Sequence, residues 1–250
     1  MQGAGGRAPA LVCEPLLAHA EHLFTTRDWT LGRGTPTSAA DGWAEVAEAL
    51  GVGVDRLRRL RQVHGAAVVV AGDAPGAPPE ADVIVSARLD LAVAVQAADC
   101  VPLLVADTRT GAVAAAHAGW RGLAARVPGT TVSAMAREFG SRSGDLLAAI
   151  GPAIGPCCYE VGDDVRQAMV GAAGEHEAAA WFRARSTDGK WMFDTWASAR
   201  AQLVAAGVPQ DQVFVAGLCT MSHPDTFCSY RRDGPPAGRI AGAIKPRMSA

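Results

Sequence analysis

Short apolar runs rich in valine and alanine alternate with turn-forming residues through the middle of the chain. Ala66–Ala71, Asp82–Ser86, Leu91–Gln96, Pro102–Ala106 and Ala112–His117 each have the length and composition of a buried strand. Gly72 to Pro79, Arg88 to Asp90 and Asp107 to Gly111 separate them as turns. Five such runs within about fifty residues leave no room for crossover helices, which predicts largely antiparallel pairing. Leu146–Ile150, Val213–Ala216 and Ile240–Ile244 read as further strands, the last after a loop over Gly234 to Gly238.

Helical spacing appears elsewhere. Trp43 to Leu50 forms a short helix stopped by Gly51, and Gly122 to Phe139 a longer one that Pro128-Gly129 should break or kink. Val161 to Val170 is helical, with Asp163-Asp164 suited to a first turn. Thr195 to Ala206 follows an Asp194 N-cap and ends at Gly207. Residues 1–40 are weakly patterned, and Gly32 to Ala39 reads as a loop. The proline- and glycine-rich stretch 72–79 is the best boundary candidate, but the strands on either side need each other to bury their faces. The expectation is one α+β domain over residues 1–250, with mixed, largely antiparallel sheets flanked by helices.

Composition narrows the function classes. The 250 residues are 49% hydrophobic and 19% charged, which is globular and not disordered. A net charge of −2 lacks the basic surplus that nucleic-acid phosphates demand. No run reaches the roughly 18 to 20 apolar residues of a membrane span, and the first residues do not read as a secretory signal. The six cysteines, at 13, 100, 157, 158, 219 and 228, are too scattered for a disulfide framework. The default is therefore a cytoplasmic protein with free thiols. Lysine occurs only at Lys190 and Lys245, so a Schiff-base mechanism is a poor fit.

Candidate chemistry concentrates at strand ends beside glycines. His64 precedes one run, Cys100 lies between two others, and His117 closes a fourth. Side chains at such positions can converge on one cleft. Two imidazoles and a thiolate suit Zn²⁺, and three protein ligands leave the open fourth position of a catalytic site. The same atoms also suit a Cys100 nucleophile with His117 as its base. Spacing alone leaves both readings open, together with a bland one in which all three are ordinary packed residues. The segment Ile150 to Glu160 is a rigid glycine-rich loop in which Cys157 and Cys158 read as packing residues, not a redox pair. Ser229-Tyr-Arg-Arg232 offers guanidinium forks for phosphate or carboxylate.

Five ordered segments carry a resemblance: Gln62-Val-His64-Gly; Ala98-Asp-Cys100-Val-Pro102; Ala116-His117-Ala-Gly-Trp-Arg-Gly122; Ile150 through Glu160; and Cys219-Thr with Phe227-Cys-Ser-Tyr-Arg-Arg232 and Gly238-Arg239. Over roughly residues 60 to 245 the chain resembles the YfiH family, called the multicopper polyphenol oxidase (laccase) family in older usage. The resemblance implies a compact fold of α/β/β/α layers, similar to cysteine hydrolases of the cytotoxic necrotising factor type. It implies zinc held by His64, Cys100 and His117, with copper possible at the same site. It further implies phosphorolysis of adenosine, inosine and methylthioadenosine, and deamination of adenosine. Small-molecule nucleoside and phosphate are then the expected partners, and a monomer or weak homodimer the expected state.

On that footing Arg121, Arg231 and Arg232 are candidates for phosphate, and Asp99 for a supporting or proton-shuttling carboxylate. Where family members open the helix ahead of Gln-Val-His with an Asn-Arg pair, this chain is expected to open it with Gly42-Trp43. That leaves a non-catalytic metal-binding relative as a third reading, beside a Cys100 amidase. A four-copper oxidase is excluded on composition, because six histidines without any His-x-His pair cannot supply its ligands.

Overall fold

The computed structural model describes residues 8–32, 36–72, 76–185 and 189–247. The first half of the chain runs β1 (Ala10–Leu11), β2 (Ala20–Thr25), α1 (Pro36–Ala49), β3 (Leu57–Arg59), β4 (Val68–Val70), β5 (Val83–Ser86), β6 (Ala92–Ala97), β7 (Val101–Asp107) and β8 (Val113–Ala118). It continues through α2 (Trp120–Ala124), α3 (Val127–Phe139), β9 (Leu146–Ile150), β10 (Glu160–Gly162), α4 (Asp163–Ala173), α5 (Glu175–Ala179), β11 (Phe182–Ala184) and β12 (Lys190–Phe193). The last elements are α6 (Thr195–Ala205), β13 (Val213–Val215), α7 (Tyr230–Asp233) and β14 (Ile240–Pro246).

Four layers result. A six-stranded sheet, ordered β13-β9-β7-β8-β5-β4, buries Val85, Leu103, Val105 and Ala114 under Leu123, Met135, Met169 and Leu203 of the helices. Its other face sets Ile84, Leu104 and Ala115 against Val93, Val95 and Ile244 of a five-stranded sheet ordered β1-β2-β14-β6-β3. The outer face of that second sheet carries Leu23, Ala92, Ala94 and Ala243 against Trp43, Val46 and Leu50 of α1. Every residue of β7 and β8 is buried, as strands covered on both faces require. The expected α+β architecture and its α/β/β/α layering therefore hold, and Asp194 caps α6 by accepting from the Ala197 N–H at 2.9 Å.

The five central runs divide between two sheets, β6 lying in the five-stranded sheet and the others in the six-stranded one. Most pairs are antiparallel, but β4 with β5, β3 with β6 and β9 with β13 are parallel. The helix expected to open at Gly42-Trp43 begins at Pro36, within the stretch read as a loop, of which 33–35 lie outside the described residues. A proline suits a first turn because its missing N–H is not needed there. Gly42 sits inside the helix, where a Cβ would collide with the Trp29 carbonyl oxygen, so it serves close packing.

The break expected at Pro128-Gly129 falls earlier, at Ala125-Arg126, where Arg126 takes φ 58°. Pro128 is in the first turn of α3 and is tolerated for the same reason as Pro36. The segment read as helix from Val161 starts as a strand, and the helix begins at Asp163. The reason is β10 pairing with β12 in a three-stranded sheet whose strands are too short to show a period.

Candidate metal centre

The strand topology gathers the candidate ligands. Since β8 runs antiparallel to both β5 and β7, its C-terminal end meets their N-terminal ends, and β4 starts beside β5. His117 therefore stands next to Asp82, just before β5, and Cys100, just before β7. His64 comes from the loop ahead of β4. The Pro102 carbonyl accepts from the Gly151 N–H at 2.9 Å on the β9 side, and the His117 N–H donates to the Asp82 carbonyl at 2.8 Å on the β5 side. The chain crosses between the sheets from β6 to β7 through Ala98-Asp99-Cys100, which delivers the sulfur to this end.

The three expected ligands meet. The Cys100 Sγ is 4.0 Å from His64 Nε2, and one ligand atom from each of His64, Cys100 and His117 lies within 4.8 Å of the others. The imidazoles stand edge to face, with centroids 4.8 Å apart.

Asp82 organises the cluster. Its carboxylate, wholly buried, accepts from His117 Nδ1–H at 2.9 Å, from the Gly65 N–H at 2.6 Å and from the His64 N–H at 3.0 Å. The first contact fixes the His117 tautomer and turns Nε2 toward Cys100 and His64, as an outer carboxylate does for a metal-ligating histidine. The other two hold a loop in which His64 takes φ 61°, a left-handed conformation that costs a non-glycine residue of order 1–2 kcal/mol. Sequence reading placed Asp82 merely at the start of a strand.

Electrostatics within the cluster are coupled. Burial opposes charge on Cys100, but His117 and the hydrogen bonds from both histidines outweigh it and bring the thiol down to about 6. Burial likewise opposes charge on His117, while the Cys100 sulfur and the Asp82 carboxylate raise it to about 9. Asp82 itself is held below the ordinary carboxylate range, its burial outweighed by His117 and the two backbone N–H groups. A thiolate beside an imidazolium is the arrangement a cation would enter, displacing the proton.

Two observations fit a bound ion. The donors are two nitrogens and one sulfur, a set suited to zinc. The space over them is kept clear by Gly119, where a Cβ would lie 2.8 Å from Cys100 Sγ and 3.2 Å from His64 Cδ2.

These residues form the floor of a cavity of about 450 Å³, within the range of small-molecule sites. Trp120, Tyr159 and Tyr230 give it aromatic walls, and Gln62, Arg231 and Arg239 give it polar groups. Gln62 is locked to the backbone of Gln96, donating to its carbonyl at 2.7 Å and accepting its N–H at 2.8 Å. Tyr159 keeps its proton, pushed up to about 12 by burial and by the Cys100 charge.

The remaining candidates separate. Arg231 lines the cavity, lies 5.2 Å over the Tyr159 ring and donates to the Glu160 carbonyl at 3.1 Å. Arg232 turns into the fold, bonding both oxygens of Asp233 and the carbonyls of Thr220, Met221 and Phe227. Arg121 is exposed, stacks on Trp120 at 4.3 Å and is not part of the cavity lining. Asp99 borders the cavity, yet its carboxylate accepts from Thr220 Oγ1 and the Arg231 N–H, each at 2.6 Å. Those bonds hold Asp99 at φ 86° and so fix the approach to Cys100.

The sequence profile of a family described as Multi-copper polyphenol oxidoreductase laccase matches residues 31–247. A protein of Deinococcus radiodurans named Purine nucleoside phosphorylase is 39% identical over 235 residues, covering 89% of this chain and 88% of its own. Purine nucleoside phosphorylase YfiH of Escherichia coli is 40% identical over 185 residues, covering 74% and 72%. The crystal structure of YlmD from Geobacillus stearothermophilus superposes with a TM-score of 0.89 at 29% identity, covering 98% of each chain. The chain belongs to this family, in which the resemblance of its five sequence segments had placed it.

Proposed function

We propose that the chain is a zinc-dependent purine nucleoside phosphorylase, with adenosine, inosine and methylthioadenosine as substrates, and that it also deaminates adenosine. Nucleoside and phosphate are its partners, and the cytoplasm is where it acts. The observation that carries the reading is the meeting of His64, Cys100 and His117 beneath an aromatic-walled cavity with Arg231 at its side. The relatives named purine nucleoside phosphorylase support the substrate class.

Zinc at these three ligands would supply a Lewis acid beside the reacting centre. The chain's own residues do the rest. Trp120 and Tyr230 line the space for a purine, where stacking is worth about 1–3 kcal/mol per base, while the Tyr159 ring is stacked on Phe193 and lies under Arg231. Arg231 presents its guanidinium to phosphate, whose oxygen forms a bond to ribose C1′ as the bond to the purine nitrogen breaks. The Tyr159 hydroxyl, held neutral, is a donor within the same cavity. Asp82 keeps His117 oriented throughout.

The family description speaks of copper and phenols. Among the described residues, His64 and His117 are the histidines that join a group of three potential ligands. The other four histidines supply no second centre, so a four-copper oxidase has nothing to stand on. Copper can still load the three-ligand site, because Cu²⁺ outcompetes Zn²⁺ at such donors.

One observation favours a second reading. Cys100, His117 and Asp82 follow one another as nucleophile, base and orienting carboxylate, the order of a cysteine hydrolase. His64 weighs against it, adding a third donor 4.0 Å from the sulfur that such chemistry does not use.

Purified protein loaded with zinc, then mixed with inosine and phosphate, tests the choice. Hypoxanthine and ribose 1-phosphate should form only with phosphate present and should cease after chelation. Activity on amides that survives chelation would favour the hydrolase.

A further inference from the structure

A second convergence of soft ligands lies outside the cavity lining. Cys157, Cys158 and Cys219 each present a sulfur, and the three sulfurs lie within 4.8 Å of one another, with Cys157 and Cys158 3.3 Å apart. The first two sit on a tight turn in which the N–H groups of Cys158 and Tyr159 both donate to the Gly155 carbonyl at 3.0 Å. That turn brings neighbouring side chains to one side, which an extended chain would not do. Cys219 comes from the segment after β13, clamped alongside by Ala153 N–H to the Leu218 carbonyl at 3.3 Å and Thr220 N–H to the Ala153 carbonyl at 3.1 Å.

We propose that these three thiols form a second metal site, for a thiophilic closed-shell ion, Zn²⁺ or Cu⁺. Sulfurs bound to one ion at about 2.3 Å stand about 3.8 to 4.0 Å apart at tetrahedral or trigonal angles. Cys157 and Cys158 stand slightly closer than that, and the Cys219 sulfur lies within 4.8 Å of both. An all-sulfur donor set excludes hard cations and selects zinc or Cu⁺. The Gly155 N–H donates to Cys219 Sγ at 3.3 Å, the kind of outer contact that steadies a ligating thiolate. Cys219 is buried, Cys158 half-buried and Cys157 exposed, so an ion reaches the interior sulfurs through the exposed one. The exposure of Cys157 also overturns its reading as a packing residue. A disulfide would use two of the thiols, whereas three facing one point suit an ion.

The site shares no ligand with His64, Cys100 and His117, so the two stand or fall separately. The full chain, kept reduced, is loaded with Zn²⁺ in one arm and Cu⁺ in the other, desalted and analysed for metal per chain. Two equivalents are expected in at least one arm, falling to one in Cys157→Ser, whose exposed position leaves the melting temperature of the metal-free protein unchanged. The ion remaining in a Cys100→Ala/His117→Ala protein should show sulfur neighbours and no imidazole shell by X-ray absorption. A Cys100→Ala/His117→Ala protein that holds no metal in either arm, or a wild-type metal content that Cys157→Ser leaves unchanged, would overturn the proposal.

Discussion

His117 and Asp82 are joined by a 2.9 Å hydrogen bond from Nδ1–H to Oδ1, between side chains that are both buried. The same carboxylate receives the backbone of the His64 loop, so one residue sets the orientation of one candidate ligand and the path of another.

Replacing Asp82 with alanine should therefore weaken metal binding about 10- to 100-fold. The orphaned N–H groups should add a loss of stability of about 1–3 kcal/mol. Competition titration with a chromophoric chelator and a thermal melt read the two effects. Unchanged affinity would remove Asp82 from the site.

Gly119→Ala places a methyl group 2.8 Å from Cys100 Sγ and 3.2 Å from His64 Cδ2, without demanding a left-handed backbone. Metal affinity should fall sharply while the melting temperature of the metal-free protein changes little. A variant that binds as tightly as wild type would show that the space is not needed.

The Cys100 thiol is depressed to about 6 and His117 raised to about 9, so the metal-free pair is charged at neutral pH. Alkylation of Cys100 in stripped protein should accelerate through a midpoint near pH 6, well below that of an ordinary thiol at about 8.5. Bound zinc should protect it. A midpoint near 8.5 would contradict the ion pair.

The two neighbouring arginines should behave differently. Arg231→Gln removes a guanidinium from the cavity and should raise KM for phosphate about tenfold or more, as the loss of a charged hydrogen bond worth about 1.5–3 kcal/mol implies. Arg232→Gln removes contacts to Asp233 and three carbonyls and should instead lower the melting temperature. Steady-state kinetics with phosphate as the varied substrate, beside melts of both variants, separates the roles.

Much of this was readable from the chain because strand-end residues flanked by glycine announce themselves. His64 and His117 have that setting, Cys100 lies between two strand-like runs, and antiparallel pairing brings such ends together. Asp82 was hidden because its partner is 35 residues away and a lone aspartate opening a strand looks like turn chemistry. The division of labour between Arg231 and Arg232 was equally invisible, since it depends on which way each side chain leaves the short helix α7. Burial period also cannot say which of two stacked sheets a strand joins, so the place of β6 in the five-stranded sheet was not legible.

The account rests on an ion held by two imidazoles and a thiolate. Elemental analysis of zinc-loaded wild type beside zinc-loaded Cys100→Ala tests it most directly. The account predicts that the variant carries one equivalent less. Equal metal content in the two proteins would contradict it.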